Sequence, residues 1–202
     1  MESVRLYGTV TDQNGVGLSQ VQVEVKNEHF ETQYSAQTDS LGRYELSLPS
    51  GYYPFVTAVR DYAKKYLEFW CHDLRLNEES FELNAAIGQI EIYGLHVFQV
   101  RGAANGLMLY FRPMSLAKFL QFGQEMTDIC PELGRIRVLV DEKEAENWSL
   151  NQVYEKAGDL SMSAYLLHVS NPNPDRTWHK VRLQFFDQEG HFGEALACRN
   201  DS

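Results

Sequence analysis

The chain has 202 residues, 44% hydrophobic and 23% charged, with a formal net charge of -10. That balance lies near the soluble globular average and excludes a disordered or fibrous polymer. The acidic surplus excludes broad binding to nucleic-acid backbones, which depends on clustered Lys and Arg.

From the N-terminus, residues 4–10 alternate as VRLYGTV, and Val21, Val23 and Val25 recur at every second position, the period of a half-buried strand. The Asp, Asn and Gly cluster between them favours a turn, so the two runs read as a hairpin. Further strands are predicted over residues 31–37, at Tyr44, Leu46 and Leu48, over residues 53–60 and over residues 80–85. Short strands at this spacing, with turn signals between them, predict a sandwich.

The order G-x-V, an Asn/Gly loop, L-S-Q-V-Q-V and then TDSLGRYELSLPSGYY is carried by Gly8, Val10, Gly15, Leu18, Val21, Val23, Thr38, Asp39, Gly42, Tyr44, Leu46, Leu48, Pro49, Gly51 and Tyr53. It resembles the carboxypeptidase regulatory-like (transthyretin-like) family. The pattern has local physical reasons: Thr38 and Asp39 suit an Asx- or ST-type turn, Gly42 supplies a permissive φ, and Pro49 and Gly51 end the strand begun at Tyr44. The resemblance implies a transthyretin-like β-sandwich over residues 1–86. It also implies a non-catalytic role, because regulatory-like domains flank an activity and the carboxypeptidase zinc site belongs to a separate catalytic domain.

Beyond residue 86, Ile90, Ile92, Leu95, Val97 and Val100 alternate around Gly94, which marks a bulge. With GLMLYFRP after the turn GAANG, residues 88–113 read as a second hairpin. A short helix is predicted in SLAKFLQFGQEM, with Ser115 as its N-cap. RIRVLVD, SAYLLHV, WHKVRLQFFD and HFGEALAC are further strands, and residues 187–190 form a hairpin turn. Residues 87–202 are therefore expected to be a second sandwich, immunoglobulin-like in outline. The whole is all-β, two sandwiches in tandem, with a short apolar boundary at residues 83–89 that holds them in contact.

Chemistry-bearing motifs are sparse. Cys71, Cys130 and Cys198 are widely spaced without CxxC and read as buried thiols. The six histidines make no HxH or HExxH, so neither a metal site nor a cofactor is expected. Ser115 and Lys118 spell SxxK without its companion motifs, and a helix cap explains them. Asp12, Asn14 and Gly15 lack the distal Glu of a calcium loop. No catalytic residue is assigned.

The aromatic residues stand out, because exposed rings stack on sugar faces or grip partner side chains. The candidate ligand-binding residues are Trp70 and His72 in YLEFWCH, Trp148, and Trp178 in TWHKV. In YLEFW, Tyr66 and Trp70 are expected on one face and Leu67 and Phe69 on the other, giving a strand buried on both sides. The functional expectation is a non-catalytic binding or scaffold protein, accessory to carbohydrate or protein handling, with a protein or carbohydrate partner. The alternative is a small hydrolase with an acidic/His site in the interdomain cleft. No run reaches the roughly 20 apolar residues of a membrane span. The opening MESVRLYGTV lacks signal-peptide regions, which points to the cytoplasm, or to the extracellular space if a leader has been removed.

Overall fold

The computed structural model describes residues 3–100, 102, 105–123, 128–158 and 160–199, which form three β-sheets and one short helix. In the first sheet β1 (Ser3–Thr11) lies between antiparallel β4 (Arg43–Pro49) and parallel β7 (Ser80–Glu82), and β8 (Ala85–Ala86) pairs with its far end. The second sheet has the order β13 (Asn147–Ala157), β14 (Leu160–Ser170), β10 (Gly106–Ser115), β9 (Ile90–Phe98). The third has eight strands, in the order β12 (Lys143–Glu144), β11 (Leu133–Val140), β15 (Lys180–Asp187), β16 (Phe192–Cys198), β6 (Phe69–Leu76), β5 (Gly51–Val59), β2 (Gln22–Lys26), β3 (Thr32–Gln37). The chain is all-β, as its alternation predicts. Among the described residues no helix is long and apolar enough to cross a membrane.

The eight-stranded sheet is common to both sandwiches, and β16 is where they join, paired antiparallel with β15 and parallel with β6. Successive strand residues point to opposite faces. Leu196 and Cys198 therefore enter the core built from residues 4–87, while Ala195 and Ala197 enter the core built from β9, β10, β11, β14 and β15. The first sheet covers one face of the shared sheet and the second sheet covers the other, the two overlapping at β16 and β6. Beyond that overlap each face of the shared sheet continues uncovered, and each forms a concavity with the edge of the neighbouring sandwich.

The TDSLGRYELSLPSGYY run forms the corner of the first sandwich. Buried Thr38 Oγ1 donates to the Leu18 carbonyl (2.6 Å) and accepts from the Val21 amide (2.8 Å). Asp39 Oδ1 accepts from the Leu41 and Arg43 amides, closing the Asx turn. Gly42 has φ +80°, and a Cβ there would collide with the Val10 carbonyl and the Leu18 amide. Tyr44 is buried and its hydroxyl donates to the Leu83 carbonyl at 2.7 Å.

Two expectations need correction. β1 and β2 are not a hairpin: β1 pairs with β4, and β2 pairs with β3 and β5 in the opposite sheet. The loop closes on itself through a Thr11–Gly17 bridge, and Leu6, Val10, Val21 and Val23 then meet through the core. Tyr66 and Trp70 do not share a face, because β6 begins only at Phe69; Tyr66 packs into the first core with Phe69 and Cys71, while Trp70 lies on the other side. The short helix predicted in SLAKFLQFGQEM is α1 (Leu116–Phe122), and residues 124–126 of that run lie outside the described residues. Its cap is as expected, the Lys118 amide donating to Ser115 Oγ at 3.3 Å. The β9–β10 pairing also has the expected bulge, with Gly94 at φ +64°; the GAANG turn lies partly outside the described residues.

Candidate functional site

On the face of the shared sheet away from the first core, β5 and β6 project Phe55, Trp70 and His72. Asp73 takes a left-handed conformation (φ 59°) that breaks the alternation, so Cys71 and Leu74 both return to the first core while His72 stays on the opposite side. The β2–β3 turn adds Phe30, and the bulge in the middle of β9 adds Tyr93, Gly94, Leu95 and His96. Together with Tyr52 and Asp73 these residues line a crevice of about 320 Å³ at the seam between the sandwiches.

The rings meet as two stacked pairs set at right angles. Phe30 lies on Phe55 at 4.8 Å and 15°, and Trp70 lies along His72 at 6.0 Å and 18°. Phe55 meets Trp70 at 88° and His72 at 84°. Tyr93 closes edge-on against Trp70 at 5.8 Å. Phe30 holds φ 62°, a region disfavoured for bulky residues, and remains half exposed.

Polar groups sit among the rings. His72 is 9% exposed, its Nε2 is buried without a hydrogen-bond partner among the described residues, and burial holds its pKa down to about 4, so the imidazole is neutral. Tyr52 donates to Asp73 Oδ1. Behind the crevice Trp70 Nε1 donates to Glu91 Oε1 (3.0 Å) and Tyr62 donates to Oε2 (3.3 Å). Burial pushes the Glu91 carboxyl up to about 7 against these bonds, with Glu68 adding like-charge repulsion.

The four sequence candidates separate. Trp70 and His72 come together in the crevice. Trp178 is 7% exposed in the second core, with Arg199 over its ring. Trp148 is an exposed residue of the edge strand β13, edge-on to His168 at 4.8 Å. Sequence reasoning missed Phe30, Tyr52, Phe55, Asp73, Tyr93 and His96. Phe30 alone left a signal, a bulky aromatic inside the polar turn NEHFE.

On the opposite face a polar trough of about 860 Å³ runs between β1/β8 and β11/β15/β16. Its charges are largely committed. Arg182 pairs with Glu194, which also accepts from Gln184 and the Ala86 amide; Lys180 pairs with Glu142. Arg135 lies over Phe186 at 4.3 Å. Asp187, Glu189 and His191 gather at the β15–β16 turn. Asp187 Oδ1 accepts from the Glu189 and His191 amides and its Oδ2 bonds His191 Nδ1 at 2.8 Å, which fastens the hairpin. All three cysteines are buried free thiols.

Residues 5–70 match the family model of the carboxypeptidase regulatory-like domain. This segment is a carboxypeptidase regulatory-like domain. The regulatory-like domain supplies Phe30, Tyr52, Phe55 and Trp70 to the crevice; the remaining wall comes from residues outside the match. No curated protein matches the chain. Among solved structures, the major pilin subunit of Bacillus cereus aligns at 10% identity over 96% of this chain and 67% of that one, with a TM-score of 0.34. A DUF3823 family protein from Parabacteroides merdae aligns at 14% identity over 96% and 98%, with a TM-score of 0.32.

Proposed function

We propose that the protein is a non-catalytic binding or scaffold module, with the domain division near residue 86 and the C-terminal strand β16 inserted between the two units. The observation that carries this reading is the shared eight-stranded sheet, which locks both sandwiches into one orientation and leaves a concave surface on each face. The acid and base groups support it, because they are engaged in structural bonds: Asp187 in a turn, Glu194 in the seam, Asp141 accepting the His179 and Lys180 amides. Its partner is a carbohydrate or a protein.

The rival hydrolase reading needs a carboxylate oriented against a histidine in a cleft. Among the described residues His191 is the histidine with a carboxylate in hydrogen-bond reach. A paired assay tests the proposal: retention of arrayed glycans and peptides on the immobilised protein, and mass spectrometry of the same compounds for cleavage. Retention without cleavage is expected. Cleavage that disappears in His191→Ala would establish the hydrolase instead.

A further inference from the structure

We propose that the aromatic crevice is a saccharide site, built to hold a neutral pyranose ring against Phe30 and Tyr52 with hydroxyls directed to His72, Asp73 and His96. The assignment rests on reading the chain as a binding protein and names the ligand class for it.

A pyranose offers an apolar C–H face and an equatorial rim of hydroxyls, so its seat needs an aromatic surface with hydrogen-bonding groups beside the rings. The crevice has both. Phe30 is 50% and Tyr52 43% exposed, and both line it with His72, Asp73 and His96. Trp70, Tyr93 and Tyr52 already have a cation of this chain over one face: Lys26 at 5.8 Å, Arg112 at 4.8 Å and Arg75 at 5.2 Å. Phe30, with one face on Phe55, has no cation over it among the described residues.

Two observations mark the crevice as built for a ligand. The first is His72, whose side chain lines the crevice while its buried Nε2 has no hydrogen-bond partner among the described residues, an unpaired polar group of the kind that normally finds a partner in a folded protein. The second is Phe30, held in a costly left-handed conformation at a turn where Asn or Gly would sit without strain. Of the seven non-glycine residues with positive φ among the described residues, Phe30 and Asp73 line the crevice. The two walls are also fixed before any ligand arrives, one by the β2–β3 turn and the other by the Trp70–Glu91 bond, which limits the ordering cost of binding.

The test is titration of the isotopically labelled protein with cellohexaose, maltohexaose, mannohexaose and xylohexaose, followed by the Trp indole N–H and His72 ring signals. The expected result is that at least one glycan moves the Trp70 indole signal while those of Trp148 and Trp178 stay in place. Phe30→Ala and His72→Phe should each weaken that glycan about three- to tenfold, as loss of one aromatic contact or one hydrogen bond. Trp148→Ala should bind as the parent does, and unchanged backbone spectra of the variants establish that they are folded. No movement of Trp70 with any of the four overturns the saccharide assignment, as does equal affinity in the folded Phe30→Ala and His72→Phe proteins. A peptide that competes for the crevice where glycans fail overturns it too, yet leaves the binding-module reading standing. Glycan cleavage would instead remove the non-catalytic reading.

Discussion

Glu91 and His72 lie on either side of Trp70 and respond to pH in opposite senses. The Glu91 carboxyl is 2% exposed and pushed from 4.5 up to about 7 by burial and Glu68, while Trp70, Tyr62 and the Glu68 amide bond its charged form. Lys26, over the Trp70 ring, is engaged with Glu24 and Glu68. The folded state therefore holds a proton that the unfolded chain releases, so the stabilisation is complete below pH 4.5 and is lost as pH rises through about 7. His72 has the reverse sign. Its pKa falls from 6.5 to about 4, so its contribution is complete above 6.5 and is lost as pH falls towards 4. Glu91→Gln keeps an acceptor for Trp70 but cannot charge. Denaturant titrations at about pH 5 and about pH 8 should show the variant gaining roughly 3 kcal/mol relative to the parent across that interval. A difference independent of pH would mean that Glu91 is already ionised in the folded protein.

At the level of elements, the Thr38–Tyr44 corner was legible in the sequence because each of its constraints is local. An Asx turn, a positive φ and an alternating strand are written in adjacent residues. The same corner predicts its own weak points. Gly42→Ala meets both a left-handed backbone and the Val10 carbonyl, and should destabilise the protein by more than about 1–3 kcal/mol. Thr38→Val leaves the buried Val21 amide without its acceptor and should lower stability by about 1–3 kcal/mol; urea midpoints measure both. Where pairing is non-local the sequence was silent. VRLYGTV and QVQVEVK alternate equally well as neighbours in one sheet or as opposing layers, and their periodicity does not distinguish the two. β13 was not predicted at all, since NWSLNQVYEKA is an exposed edge strand with little apolar alternation. The crevice was half legible for the same reason: Trp70 and His72 share one strand, but Phe30, Tyr52 and Tyr93 reach them only through tertiary pairing.

For the whole molecule, the decisive residues are those of β16. HFGEALAC reads as an ordinary final strand, yet its two faces serve two cores, with Leu196 and Cys198 in one and Ala195 and Ala197 in the other. Gly193, where a Cβ would collide with the Ile90 carbonyl, lets β9 approach closely, and the polar knot of Arg182, Glu194, Gln184 and the Ala86 amide closes the first sandwich onto the same strand. Unpaired polar groups would be left in the seam if either unit opened alone, so the two should unfold together. Leu196→Ala removes side-chain volume from the first core only, at a cost of about 2–5 kcal/mol. If the sheet couples the units, the unfolding midpoint read from a fluorine label on Trp178, buried in the second core, should fall by the same amount as that read from Trp70 at the seam. A Trp178 midpoint that stays at the parent value while Trp70 shifts would show two independent sandwiches joined only by the chain.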